Sequence, residues 1–173
     1  MARNVEIKAR IDHVDDMVKK ASTLADEGPV EIEQDDTFFR CAGGRLKLRV
    51  FSSAEGELIY YRRPDQAGPK ASFYVVTRTG DPEGLREALT LAYGQSGRVV
   101  KHRTLFYAGR TRIHVDRVEG LGSFVELEVV LGEGESVEAG EREARALMVE
   151  LGIEEERLVE GAYVDMLTKR YII

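Results

Sequence analysis

Residues 45–51 read Arg-Leu-Lys-Leu-Arg-Val-Phe, and this strict alternation constrains the fold more than any other feature of the chain. Successive side chains of a strand point to opposite faces, so Arg45, Lys47 and Arg49 share one face while Leu46, Leu48 and Val50 share the other. The same device recurs. Glu6, Lys8 and Arg10 interleave with Val5, Ile7, Ala9 and Ile11, and Lys101 lies two residues before Arg103. Arg110, Arg112, His114 and Asp116 share a face, and Glu126 and Glu128 interleave with Val125, Leu127, Val129 and Leu131. A half-buried antiparallel sheet with a solvated face alternates in this way. Such a face, however, tends to mix in Ser, Thr and Gln. Here cations gather on some strands, and carboxylates on the first and last. If the sheet curls into a barrel, these charged faces line a lumen.

Strands are expected at 5–11, 30–40, 45–51, 57–63, 72–78, 99–107, 110–118 and 123–131. Asp12 is a candidate N-cap for a helix whose apolar positions Val14, Met17, Val18, Ala21, Leu24 and Ala25 recur up to Gly28-Pro29. Asp81-Pro82-Glu83 opens a second helix, with Leu85, Ala88, Leu89 and Ala92 as its buried stripe. A third helix, 136–151, turns Ala144, Leu147, Met148 and Leu151 inward. The stretch 154–171 holds a short helix and a further helical segment around 163–167, where Tyr163 and Asp165 read as pins for the C-terminal end. Close hairpins imply antiparallel pairing, so the expected class is α+β, a single domain over 1–173 dominated by antiparallel sheet.

The chain has 173 residues, with 25 Lys and Arg against 31 Asp and Glu, a formal net charge of −6. That balance excludes a broad basic surface for a nucleic-acid polymer or an anionic membrane. It does not exclude an enclosed basic tunnel for a small polyanion, because the acids fall mostly on helices and loops. Carboxylates can hold a divalent metal that bridges to phosphates, and Arg and Lys supply the remaining countercharge; the pattern suggests a triphosphate site. The one cysteine, Cys41, permits no intrachain disulfide, and no apolar run reaches the length of a signal peptide or membrane span, so a cytoplasmic location is expected. His13, His102 and His114 lack close metal-ligand spacing. His114 shares the face of Arg112 and Asp116, which leaves a site role and a structural role both open.

Seven segments in order resemble the CYTH superfamily, the class IV adenylyl cyclases and thiamine triphosphatases, and look most similar to its cyclase-like branch. They are 4–10 (Asn-Val-Glu-Ile-Lys-Ala-Arg), 44–49 (Gly-Arg-Leu-Lys-Leu-Arg), 61–65 with 68–72, 100–103 (Val-Lys-His-Arg), 111–116 (Thr-Arg-Ile-His-Val-Asp), 120–128 (Gly-Leu-Gly-Ser-Phe-Val-Glu-Leu-Glu) and 162–167. The resemblance implies an eight-stranded antiparallel β-barrel, a triphosphate tunnel with helices packed outside, and Mg²⁺ or Mn²⁺ as cofactor. It implies that Glu6, Glu126 and Glu128 hold the metal, with Asp116 as a further ligand or a partner behind the ligands. Lys8, Arg45, Lys47, Arg49, Arg63, Lys101, Arg103 and Arg112 then grip phosphates, and Lys8, Arg49, Lys101 and Arg103 are expected to act in catalysis. Arg63 is favoured over Arg62 as the inward residue, and Lys70 is placed on a loop that could close over substrate. The family's first glutamate is replaced by Asn4, which keeps a coordinating oxygen and loses a charge. The implied activity is cyclisation of ATP to cyclic AMP and pyrophosphate. The alternatives are hydrolysis of tripolyphosphate or an organic triphosphate, and a non-catalytic module that binds nucleotide or polyphosphate. A homodimer is compatible with the resemblance.

Overall fold

The computed structural model describes residues 2–64 and 66–169. Eight strands form: β1 (Ala2–Ile11), β2 (Glu27–Phe39), β3 (Arg45–Ser52), β4 (Glu55–Arg62), β5 (Lys70–Thr79), β6 (Gln95–Ala108), β7 (Thr111–Val118) and β8 (Gly122–Val130). They close into a barrel in the order β1-β5-β4-β3-β2-β6-β7-β8. Every neighbouring pair is antiparallel. Closure through β1, which pairs with both β5 and β8, removes the open edges of a flat sheet. Four α-helices accompany the barrel: α1 (Val14–Leu24), α2 (Pro82–Tyr93), α3 (Val137–Glu150) and α4 (Tyr163–Lys169). Among the described residues no helix is long and apolar enough to cross a membrane.

The largest apolar core lies outside the barrel. Ile7, Ala9, Phe106, Ile113, Val115, Val125 and Leu127 point outward and pack against Met17 and Ala21 of α1 and Met148 of α3, joined by Leu151. The apolar half of each alternating strand is thus spent on the helices, which leaves the charged half for the interior. Gly140 lets α3 approach β1 closely, since a Cβ there would meet Val5 and Leu131 at 2.8 Å. Ser136 caps α3, accepting from the Ala139 amide at 3.3 Å, and Asp81 caps α2, accepting from the Gly84 amide at 3.0 Å.

Several expectations need correction. β2 starts at Glu27, before Gly28-Pro29, with an irregularity against β6 between Glu27 and Val30; proline has no N–H for the ladder, which makes the dipeptide look like a strand boundary in the sequence. β4 ends at Arg62, and β5 begins at Lys70. Asp12 does not cap α1. His13 occupies that position without a side-chain bond, and Asp12 pairs with Arg157. The stripe on α2 is not buried. Pro82 is its one buried residue, Leu85 and Leu89 are half-buried, Ala88 and Ala92 are exposed, and Leu91 is 81% exposed. The contacts that seat α2 involve its first half, where Pro82 lies over Gly56 and Arg86 donates to Thr37 at 3.2 Å.

Candidate active site

The barrel interior has an apolar part and a charged part. Phe38, Ile59, Tyr61, Val99, Val118 and Phe124 cluster with Ala162, Tyr163 and Val164, so the start of α4 plugs the interior. Gly97 makes room for this plug, because a Cβ there would collide with Val164. The rest is a cavity of about 290 Å³ whose wall carries Glu6, Lys8, Asp36, Lys47, Arg49, Arg63, Lys101, Arg103, Arg112, His114, Glu126 and Glu128. Strand parity brings these side chains from six strands to one lumen, joined by Arg63 just past the end of β4.

Register sets the acids against one another and against the cations. Glu6 lies opposite Glu128, Lys8 opposite Glu126, His114 opposite Glu126 and Arg112 opposite Glu128. Lys8 Nζ is 3.5 Å from Glu126 and donates to the Gly161 carbonyl at 3.2 Å, with the Tyr163 ring 4.0 Å away. Glu6 is ion-paired with Arg63, and Asn4 donates to Glu128. Arg103 is held in a two-pronged bond to Asp116, both contacts 2.7 Å, and reaches Glu126 at 3.5 Å. Tyr163 donates its hydroxyl to the same Asp116 carboxylate at 2.9 Å. On the other side Arg49 makes two 2.8 Å bonds to Asp36, and Lys47 bonds it at 3.0 Å.

These contacts shape the charge states. Burial pushes the Asp36 carboxyl up, but Arg49 and Lys47 outweigh it and hold it well below the ordinary value. Burial likewise opposes ionisation of Glu126, and Lys8, His114 and Arg103 overcome it and keep the group well below. Burial and the Arg49 charge bring Lys47 down to about 8 despite Asp36. Lys101 is driven well below the usual lysine value by burial, then by Arg103 and Arg49. Burial and Arg103 also lower His114. Burial and mutual repulsion therefore disfavour full charge on the lumen's two lysines Lys47 and Lys101, while Asp36 and Asp116 keep Arg49 and Arg103 charged.

Most of the expected residues meet in this cavity, and a few do not. Arg63 faces the lumen while Arg62 is exposed and lies over the Phe73 ring, 5.3 Å from its centroid. Arg45 is engaged with Asp165 of α4 at 2.9 and 2.5 Å. It lies in a second, larger cleft of about 1360 Å³ that runs past α4 and also holds Arg40, Arg62 and Glu160. Lys70 is not on a loop. It is the first residue of β5, 1% exposed, and donates to the Gln66 carbonyl at 3.0 Å. Asp116 points inward yet is 0% exposed, with both oxygens committed to Arg103 and one also to Tyr163, so it stands behind the cavity wall as an anchor. Asp36 is the main residue that sequence reasoning missed. On β2 both faces carry acids, Glu31, Glu33 and Asp35 outward and Asp36 inward, so alternation of charge does not pick it out.

Four buried side-chain atoms lack a hydrogen-bond partner among the described residues: Asn4 Oδ1, Gln34 Oε1, Arg63 Nε and His114 Nδ1. All four residues line this one cavity. Buried orphans are costly, and their convergence marks a place built for a ligand. A divalent cation fits the donor chemistry, since Glu6, Glu126, Glu128 and Asn4 Oδ1 are hard oxygen donors. Among the described residues no three or more His, Cys, Asp or Glu side chains are already gathered as a metal cage. The acids are paired with Lys8, Arg63, Arg103 and Arg112 instead.

The fold is one that known proteins share. The CYTH domain family model matches residues 2–163, and the chain belongs to that family. No curated protein matches the chain. Among solved structures, the PH1012 protein of Pyrococcus horikoshii OT3 is similar at TM-score 0.83 and 23% identity, over 94% of this chain and 98% of that one. A candidate adenylate cyclase of Vibrio parahaemolyticus is similar at TM-score 0.78 and 18% identity, over 95% and 97%. HpAC1 of Hippeastrum, described as a candidate adenylyl cyclase with dominant triphosphatase activity, is similar at TM-score 0.66 and 15% identity, over 99% and 96%. At these identities the likeness shows the fold.

Proposed function

We propose that the lumen binds the triphosphate of a nucleotide such as ATP and turns it over with Mg²⁺ or Mn²⁺, in the manner of a class IV adenylyl cyclase. The observation that carries this reading is the convergence of Lys8, Lys47, Arg49, Arg63, Lys101, Arg103 and Arg112 on a cavity that also holds Glu6, Glu126 and Glu128. Charge of both signs in one enclosed space suits a polyanion carried in with a divalent cation. Phosphoryl chemistry asks the protein mainly for positioning and charge neutralisation. Arg49 and Arg103, each held rigid by a buried aspartate, present fixed guanidinium groups to phosphate oxygens. Lys47 and Lys101 gain full charge as the polyanion enters and stabilise the departing pyrophosphate. Glu6, Glu126 and Glu128, with Asn4, would hold the cation, which when bound would supply charge neutralisation and lower the pKa of a hydroxyl nucleophile. The cavity wall also includes the apolar, part-exposed Ile32, Phe51, Val76 and Tyr107, which suit the organic portion of a nucleotide.

A second reading is hydrolysis of tripolyphosphate or an organic triphosphate, with water as nucleophile. It is favoured by the likeness to HpAC1, whose dominant activity is that of a triphosphatase. Incubation with Mn²⁺ or Mg²⁺ and either ATP or tripolyphosphate, followed by product identification, tests both. Cyclic AMP with pyrophosphate supports the first reading, and orthophosphate release supports the second. Tight binding of both substrates without turnover overturns the assignment as an enzyme.

A further inference from the structure

His114 occupies a place that neither phosphate binding nor packing accounts for. It projects from β7 directly opposite Glu126 on β8, and its side chain is 7% exposed. Nδ1 is 3.6 Å from Glu126 Oε2, and Nε2 is 3.8 Å from Glu128 Oε2. Both separations exceed hydrogen-bond length, and Nδ1 has no hydrogen-bond partner among the described residues. The His114 ring lies within 4 Å of both carboxylates, in the cavity they line, with Nδ1 buried and without a hydrogen-bond partner among the described residues.

We propose that His114 is a nitrogen ligand of the divalent cation held by Glu126 and Glu128, and that it biases the site toward Mn²⁺ over Mg²⁺. The inference rests on the reading of the lumen as a metal-assisted triphosphate site. Mg²⁺ keeps to oxygen ligands and holds its waters, whereas first-row transition metals accept a nitrogen donor more readily, Mn²⁺ the least of them. A lumen offering carboxylates alone would favour neither so clearly. Asn4 lines the same cavity with a neutral oxygen donor, its Oδ1 also buried and without a hydrogen-bond partner among the described residues. Loading the site requires Lys8 and Arg103 to release Glu126, which both contact at 3.5 Å.

Mn²⁺ titration of the full chain, read by electron paramagnetic resonance, measures binding, and pulsed measurement of the bound ion reports directly coordinated nitrogen. The expected result is saturable binding with a ¹⁴N modulation. The modulation disappears in His114→Gln while circular dichroism and melting stay native-like, and the Mn²⁺-over-Mg²⁺ preference narrows about tenfold or more. A His13→Gln, His102→Gln double variant keeps the signal, which covers the case in which His114→Gln does not fold. Bound Mn²⁺ with no nitrogen modulation in the native chain, or modulation that persists in a folded His114→Gln, overturns the proposal while leaving a metal site in place. Absence of saturable binding, or binding unaffected by Glu126→Gln, overturns the metal reading itself and the proposal with it.

Discussion

Glu6 and Glu128 face each other across the β1–β8 pair, and both line the same lumen. Like charges directly opposed in an antiparallel pair cost about 0.2–1 kcal/mol relative to neutral residues. The chain tolerates the opposition by placing Arg63 on Glu6, and Asn4 and Arg112 on Glu128.

The first prediction follows from that pair. Divalent cation at 100 times its dissociation constant should stabilise the native chain by about 2.7 kcal/mol, seen as a rise in melting temperature. Glu128→Gln should shift metal-free stability by no more than about 1 kcal/mol and lose most of the metal-dependent rise. An undiminished rise in that variant would remove Glu128 from the metal site.

Asp36 supports the second prediction. It is 1% exposed and satisfies Arg49 and Lys47 together. Asp36→Ala leaves two buried cations without their partner, which should cost about 3–5 kcal/mol. Tripolyphosphate should recover more of the lost melting temperature in this variant than it adds to the native chain, because the phosphate replaces the missing carboxylate. Equal shifts in the two proteins would show that Lys47 and Arg49 do not meet the ligand.

The barrel and its occupants were legible in the sequence to different degrees. Strands such as β3 and β8 declare themselves, because charged residues alternate strictly with apolar ones along 45–50 and 125–129. The parity that sends Lys47, Arg49, Glu126 and Glu128 inward is therefore visible without coordinates. β2 hides Asp36 because its outward face is acidic too, and Gly28-Pro29 disguises its start. α2 misleads for another reason: its apolar spacing is genuine, yet beyond its first half the helix leaves Leu91 and Tyr93 exposed. Asp116 holds Arg103 across the β6–β7 pair, 13 positions away, and Tyr163 reaches the same Asp116 from 47 positions away, a tertiary contact that no local pattern encodes.

The third prediction concerns pH. Lys47 has its value depressed to about 8 in the ligand-free lumen, and a bound polyanion raises it. Between pH 8 and that higher value, binding takes up a proton, so affinity falls as pH rises across this window. Calorimetric titration of tripolyphosphate in buffers of different ionisation heat should show proton uptake above pH 8 that is reduced in Lys47→Met, with Lys101 contributing the remainder. No buffer dependence in the native chain would contradict this account of the two lysines.

Gly97 carries the fourth. Gly97→Ala places a methyl group against Val164 in the apolar plug, an overpacking that should cost about 1–3 kcal/mol. Hydrogen exchange should speed up in α4 more than in β7 and β8. Uniform loss of protection across the barrel would mean that α4 is not a separable plug.

The central claim is that the triphosphate lies inside the barrel, gripped by Arg49 and Arg103. A crystal structure with Mn²⁺ and a non-hydrolysable ATP analogue, using the manganese anomalous signal, tests this most directly. The account predicts phosphate density within hydrogen-bond reach of both arginines and the anomalous peak beside Glu126 and Glu128. Nucleotide bound in the cleft beside α4, with the lumen still closed by its own ion pairs, would contradict it.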